Sequence, residues 1–341
     1  MLLVLFCAIL LPATDFATAG AAPPATTDLL EEVQKDPLIL RRHVIVHPSM
    51  RKPTLTGIRV VIPGANEIEE ELWQRITRLP RVVELTISSR HLGNREMQQI
   101  VSLPDLEVLN LEPSTYVDAG GGRTTLVGKT KIAEKEGFAK LKRLEHLQRL
   151  QLTWAEIDES ILFQIAAIES LEELDLSQTE LPPAALSRLE NLKRLSNLNL
   201  GYTGTDDEAL KAIAKIDGLE SLVLTKTPVT DAGLAALRRL KKLQFLRLDG
   251  VAFSAEGMES ITQIQSLRSL YLGYRNVTDE EVAMLMKFRG LQALVASVPH
   301  PSVLQEHPAL VRLSDGRNSR FVRKLTTPGE PFEYVKPTDG K

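Results

Sequence analysis

Cysteine is nearly missing from this 341-residue chain; Cys7 is the only one. That excludes a disulfide framework and any Cys-based zinc site. Aromatic residues are scarce at 5%, with two Trp and five Tyr, so an exposed one is informative. Neither sign of charge dominates. The 41 Lys+Arg and 44 Asp+Glu leave a net charge of −3, which gives no global attraction for nucleic acid. Gly (20) and Pro (19) are too few for a collagen-like or disordered chain. Long apolar runs are also lacking. Residues 2–11 are uninterrupted but only ten long, and Pro12 ends them; a bilayer span needs about 20.

That short run has its own reading. Ala17, Thr18 and Ala19 precede Gly20, a small-residue pattern that suits cleavage. Residues 1–19 therefore read as a signal peptide, although no Lys or Arg precedes the run. Export follows as the expectation, to the periplasm, the cell envelope or the medium. Cleavage there would leave a mature chain without cysteine. Residues 20–54 read as a linker and N-terminal cap. Residues 316–341 are polar and Pro-containing, and read as a flexible basic tail.

What the chain has in excess is leucine, 55 residues by count, and its placement is periodic. The pattern L-x-x-L-x-L occurs at Leu171-Leu174-Leu176 and Leu195-Leu198-Leu200. It occurs again at Leu219-Leu222-Leu224, Leu243-Leu246-Leu248 and Leu267-Leu270-Leu272. Each start lies 24 residues after the last (195−171, 219−195, 243−219, 267−243). The series extends back to Leu147 and forward to Leu291. Val82 and Leu106 start two further units, and Leu55-Ile58-Val60 is a looser first unit. The interval from Leu106 to Leu147 is 41, so it carries 17 extra residues, a Gly-rich surface insertion near 113–131.

The second half of each unit repeats too. Leu234, Leu237 and Leu240 match Leu210, Ile213 and Ile216, and also Met258, Ile261 and Ile264. Spacing by three predicts one buried face of a short helix, α or 3₁₀, while L-x-L predicts a strand. Thr205 with Glu208, and Thr278 with Glu281, predict capping boxes. One unit cannot bury its own Leu face, so about ten units must stack over residues 55–315.

These residues resemble the leucine-rich repeat family. The likeness is to its bacterial short-repeat type, whose signature stands here as T-P-V-T-D-A-G-L-A-A-L over 227–237. The resemblance implies a right-handed α/β solenoid, with a parallel sheet on the concave face and short helices on the convex face. Where the family often has Asn or Cys at position nine, this chain has Thr179, Thr203 and Thr227. Ala155, Val251 and Arg275 break that ladder. The family's animal and plant extracellular members usually carry cysteine-rich caps, which are missing here. The resemblance further implies a non-catalytic, monomeric protein-binding scaffold, exported from a bacterial cytoplasm, that binds on its concave sheet. An intracellular adaptor, such as the recognition arm of a ubiquitin-ligase-like complex, is the alternative. An envelope hydrolase is a third.

Motifs that suggest chemistry do not assemble into a site. Gly128-Lys129-Thr130 looks like the end of a phosphate loop, but the required upstream Gly position holds Arg123. The six histidines include no H-E-x-x-H, and no G-x-S-x-G occurs. No catalytic residue, cofactor or metal is expected. The basic residues Arg41, Arg42, Arg51 and Lys52 read as a solvated cap.

The concave face is the candidate binding surface. Positions 4 and 6 of L-x-x-L-x-L point into the core, so positions 3, 5 and 7 face the other way. Position 5 reads Thr86, Asn110, Gln151, Asp175, Asn199, Val223, Arg247, Tyr271, Val295, a mixed column without a single-sign field. Phe245 stands at position 3 beside Arg247, with Tyr271 in the next unit. Trp154, Tyr202 and Tyr274 stand at position 8, the rim. The Leu core requires none of these six, and aromatics with Arg are the usual anchors of protein interfaces. Phe245, Arg247, Tyr271 and Tyr274 are expected to form one patch for a protein partner.

Overall fold

The computed structural model describes residues 45–49, 57–65, 68–79, 81–89, 91–113, 115–117, 124–126, 129–132, 135–298, 303–304, 307, 309–310, 312–314, 320–322 and 333–335. The expected signal peptide, most of the linker and much of the tail lie outside them.

One fourteen-stranded sheet carries the fold, with its strands in chain order. From Gly57–Ala65 to Arg312–Ser314 every neighbouring pair is parallel. Leu150, Leu174, Leu198, Leu222, Leu246, Leu270 and Leu294 stand side by side across seven strands, each 24 residues from the next. All are buried. In the three-residue strands the centre is buried and both flanks are half-buried. One side of the sheet is therefore sealed under helices and the other is open.

The returning segments are short helices. Asp207–Ile213 and Asp231–Ala236 are α, and Pro183–Asn191 is 3₁₀. In the last, Pro182 and Pro183 remove two N–H donors, and Leu186, Leu189 and Leu192 keep the spacing of three that a 3₁₀ turn eclipses. Full burial of one Leu is worth about 1.5–3 kcal/mol. Each unit gains that only once its neighbours are in place.

The strand-to-helix turn is held by the threonines expected there. Thr203 Oγ1 donates to Leu200 O at 2.7 Å and Thr227 Oγ1 to Leu224 O at 2.8 Å; Thr179 bonds Leu176 O in the same way. Just before them, position 8 takes a left-handed backbone in five consecutive units. The φ values are 60° at Trp154, 61° at Gln178, 60° at Tyr202, 52° at Lys226 and 73° at Gly250.

Several expectations need correcting. The first unit is displaced by two residues: Val60 pairs with Leu85 and Ile62 with Ile87. A shift of two keeps the same side chains inward, so the apolar pattern fits either register. Thr205 is not a cap. Its hydroxyl turns inward, 2.7 Å from that of Thr203, and Asp206 caps the helix by accepting from Ala209 N at 2.9 Å. Thr278 and Glu281 do form the capping box.

The insertion is more than a loop. Thr115–Val117 and Thr124–Leu126 pair as an antiparallel hairpin, and Lys131–Ile132 pairs with His91–Leu92. Thr130, once part of a phosphate-loop look-alike, is buried and donates to Ser89 O and Glu112 O at 3.0 and 3.1 Å. It is a structural pin.

Both ends of the parallel sheet continue as antiparallel strands. Ile45–Ser49 pairs with Gly57–Ala65. Arg320–Val322 and Glu333–Val335 extend it beyond Arg312–Ser314, within the tail expected to be flexible. A parallel edge leaves a row of unpaired N–H and C=O groups, and Phe321, Val322, Tyr334 and Val335 are strand-forming residues able to cover it.

Candidate binding face

The open side of the sheet changes chemistry along its length. In its first part, polar side chains satisfy one another across neighbouring strands. Asn110 Nδ2 donates to Thr86 Oγ1 at 3.1 Å, and Asn199 Nδ2 donates to Asp175 Oδ2 at 2.9 Å. Arg59 pairs with Glu84 at 3.1 Å, and Arg149 pairs with Glu173. Burial raises the Asp175 carboxyl above the usual range, against bonds from Ser177 and Asn199. Burial likewise raises Glu112, partly offset by Arg59 and Ser88. Glu84, Thr86 and Ser88 are buried, and the hairpin strand Thr115–Val117 lies near Gly57–Ala65. This end of the face is already occupied by the chain itself.

Beyond Asn199 the character changes. Val223, Arg247, Tyr271 and Val295 follow at position 5, with Phe245 at position 3. Arg247 and Tyr271 are direct cross-strand neighbours, as are Phe245 and Ser269. Phe245 and Tyr271 are thus diagonal, a separation that only large side chains bridge. Their ring centroids are 5.0 Å apart at 39°. The Arg247 guanidinium carbon stands 6.0 Å from the Tyr271 centroid, and Nε is 2.6 Å from Asp249 Oδ2. Such ring and cation contacts are worth about 0.5–1.5 kcal/mol each. They fix rotamers before any partner arrives.

Of the six candidate residues, the structure gathers Phe245, Arg247 and Tyr271. Tyr274 lies on the same strand, Ser269–Asn276, and is 71% exposed. It is not at a left-handed turn like the other position-8 residues. Gly273 takes that conformation one residue earlier, at φ 60°, and the strand runs on. Tyr202 is 49% exposed, with Lys226 Nζ 5.2 Å from its ring centroid. It sits two strands from Phe245, and Trp154 four, about 10 and 19 Å at the usual strand spacing. Both occupy turns, apart from the gathered cluster.

Two features escaped the sequence reading. Phe163, on the helix Glu159–Ile165, is 60% exposed with Arg188 6.0 Å from its ring centroid. Its place outside the helix's apolar triplet was the available signal. Arg275, which breaks the Thr ladder, lies 4.2 Å from the Phe253 ring centroid and pairs with the buried carboxylate of Glu281. Among the described residues no three His, Cys, Asp or Glu side chains gather as metal ligands. Among them, too, no helix is long and apolar enough to cross a membrane.

No protein-family model and no curated protein matches the chain. Solved structures do. An internalin (inlF) from Listeria monocytogenes is 16% identical with a TM-score of 0.51, over 84% of this chain and 87% of that one. An internalin C2 (inlC2) from the same species is 16% identical with a TM-score of 0.43, over 63% and 80%. At 16% identity the first likeness concerns the backbone alone. Together with the stacked 24-residue pairing and the mostly parallel sheet, it gives the fold: an α/β leucine-rich-repeat solenoid.

Proposed function

We propose that this chain is a non-catalytic recognition scaffold of the bacterial short-repeat type, exported from the cytoplasm, that binds a protein on the open, concave face of its sheet. The observation that carries the reading is the Phe245–Tyr271 pair with Arg247 beside it. Several polar side chains elsewhere on that face are bonded to one another. Here half-buried aromatics present area that a partner can desolvate. Position-5 polar residues next to the patch would set specificity, and Tyr274 would extend the contact at the sheet's end. The apolar run 2–11 and the small residues before Gly20 support export.

The test is in-cell crosslinking and affinity capture of the tagged chain, beside a Tyr271→Ala/Tyr274→Ala/Arg247→Ala variant. Mass spectrometry reads the captured proteins and the mature N-terminus together. A start at Gly20 and an envelope protein lost in the folded variant are expected. An intact Met1 with cytoplasmic partners indifferent to the variant would favour an intracellular adaptor. A variant that no longer folds would show that these side chains serve the core.

A further inference from the structure

We infer that the protein bound at the Phe245–Tyr271 patch is acidic around its apolar contact, an inference that rests on the binding reading above. The observation is an unneutralised basic edge where the chain enters the patch. Residues 235–245 carry Arg238, Arg239, Lys241 and Lys242 and no acid. They form the end of one helical segment, Leu237–Arg239, and the turn into the strand Phe245–Arg247. All four are exposed. Arg268 precedes the Tyr271 strand in the same way, and Lys287 and Arg289 precede Ala293–Ser297.

Their bonds leave the charge standing. Arg238 donates to Ala235 O at 3.0 Å and to Gln263 Oε1 at 2.9 Å, and Lys241 donates to Arg238 O at 3.0 Å. Arg268 Nη1 donates to Gln265 O and Leu267 O, both at 3.0 Å. The acids flanking this stretch in the adjoining units are Asp217, Glu220 and Glu259. Among the described residues, none of the ion pairs involves Arg239, Lys241 or Lys242. Earlier along the same edge two cations are matched: Arg194 pairs with Glu172, and Lys215 with Glu190 at 3.4 Å. A second basic stretch, Lys140, Lys142 and Arg143, precedes the polar strand Arg149–Gln151; the run at 238–242 differs in entering the aromatic strand Phe245–Arg247.

Four cations in the stretch from Arg238 to Lys242 sum to one local field that reaches a Debye length, about 8–10 Å, into solvent. Such a field steers an oppositely charged partner and holds its orientation. The partner that fits is a folded or extended polypeptide. It would lay apolar side chains over Phe245 and Tyr271 and carboxylates along Lys241 and Lys242. A nucleic acid or a phospholipid surface fits less well. The chain's net charge of −3 gives a polyphosphate no attraction beyond this local edge.

The experiment uses the full chain and four labelled probes. These are a random Glu–Tyr copolymer, polyglutamate, a thymidine oligonucleotide, and vesicles of mixed phosphatidylglycerol and phosphatidylcholine. Fluorescence anisotropy, or co-sedimentation for the vesicles, gives each affinity at two salt concentrations. The copolymer is expected to bind most tightly and to weaken with salt. Lys241→Glu/Lys242→Glu, with an unchanged thermal melt, is expected to weaken it at least about tenfold. If that variant does not fold, the salt dependence of the native chain reports the same charge term. Tyr271→Ala is expected to weaken the copolymer and leave polyglutamate unaffected.

Copolymer binding indifferent to both charge reversal and salt would overturn the acidic partner, whatever Tyr271→Ala does. Binding that responds to charge but ignores Tyr271→Ala would overturn the patch reading beneath it. Tighter binding of the oligonucleotide or the vesicles would replace the protein partner by that class. No binding of any probe would end the proposal.

Discussion

Asp207 reaches into the following unit and accepts two hydrogen bonds from Thr230, from its N–H at 2.8 Å and its hydroxyl at 2.6 Å. Asp231 accepts the same pair from Ser254, at 2.8 and 2.7 Å. Thr230 and Ser254 are the N-cap residues of their helices. A carboxylate from one unit thus sits at the positive end of the next unit's helix. Glycine leaves the space. A Cβ on Gly233 would stand 2.4 Å from Asp207 Oδ1, and one on Gly257 would stand 2.3 Å from Asp231 Oδ1. Asp231 and Gly233, two residues apart in one signature, therefore serve opposite neighbours.

This coupling is measurable as a double-mutant cycle. Gly257→Ala alone should cost about 1–2 kcal/mol, because the new methyl displaces Asp231 from Ser254. In an Asp231→Ala background the 2.3 Å clash is gone, and the tight approach to Phe253 Cβ at 3.0 Å is what is left. The same substitution should then cost less than it does alone, since helix propensity, worth up to about 1 kcal/mol, offsets the Phe253 contact. Urea unfolding of the four chains checks it. Costs that simply add would show that the two residues act independently.

The ladder ends where the sequence changes. Ala255 stands where an Asp would reach forward, and Glu281 stands where the next Gly would be. Glu281 is buried and caps its own helix: its Oε2 accepts from Thr278 N at 2.8 Å, and its other oxygen pairs with Arg275. Burial pushes its carboxyl up, but Arg275 and Thr278 outweigh that and hold it below the usual range. A carboxyl lowered by folding contributes stability above its unfolded pKa, and that stability is lost as pH falls through the folded one. Glu281→Gln should therefore cost about 1–3 kcal/mol at neutral pH by removing the charge opposite Arg275, which keeps its contacts with Phe253. It should also flatten the acid limb below about pH 4.5. Denaturant midpoints measured from pH 7 to 3 on both chains would show it, and parallel curves would refute it.

The parallel sheet, the 24-residue step and the Thr ladder were legible because each repeats, and a repeat averages out local ambiguity. The forward reach of Asp231 was legible in principle, from the coincidence of Asp at one unit's position 13 and Gly at the next unit's position 15. It was missed because the two lie in different units. The register of Val60 was not legible, since period-two alternation is unchanged by a shift of two. The gathering of Phe245, Arg247 and Tyr271 followed from strand spacing. The displacement of Tyr274 did not, because Gly273 moves the turn by one residue. His307 gave no signal at all, as its partners are backbone groups brought together only by the fold.

His307 clamps the last helical unit. Its Nε2 is 3.1 Å from both Leu285 O and Phe288 O, so it must donate. Its Nδ1 faces Ala309 N at 3.3 Å and Leu310 N at 3.0 Å, so it must accept. Both demands are met only by the neutral ring. Burial lowers its pKa, against the two carbonyls that favour the proton. The unfolded chain then takes up a proton first as pH falls, so stability should drop below about pH 6.5. The loss should grow toward acid until the folded ring also titrates. His307→Gln should start less stable and lack this window. The difference between the two curves removes the other histidines, and identical slopes would count against the clamp.

The left-handed column at position 8 supplies the last prediction. Trp154, Gln178, Tyr202 and Lys226 hold a conformation that costs an ordinary residue about 1–2 kcal/mol. Their N–H groups continue the sheet's ladder; Gln178 N, for example, donates to Gly201 O at 2.8 Å. The conformation is therefore imposed by the stacking of units. Gln178→Gly should relieve it and raise stability by about 0.5–1 kcal/mol after the entropy of the added glycine. Gly250→Ala should do the reverse. It gains the same strain, and its Cβ would stand 2.8 Å from Lys226 Cγ. Opposite shifts of the thermal midpoint are the expected pair. A Gln178→Gly chain that melts earlier would mean that its side chain, and not its backbone, is what the turn requires.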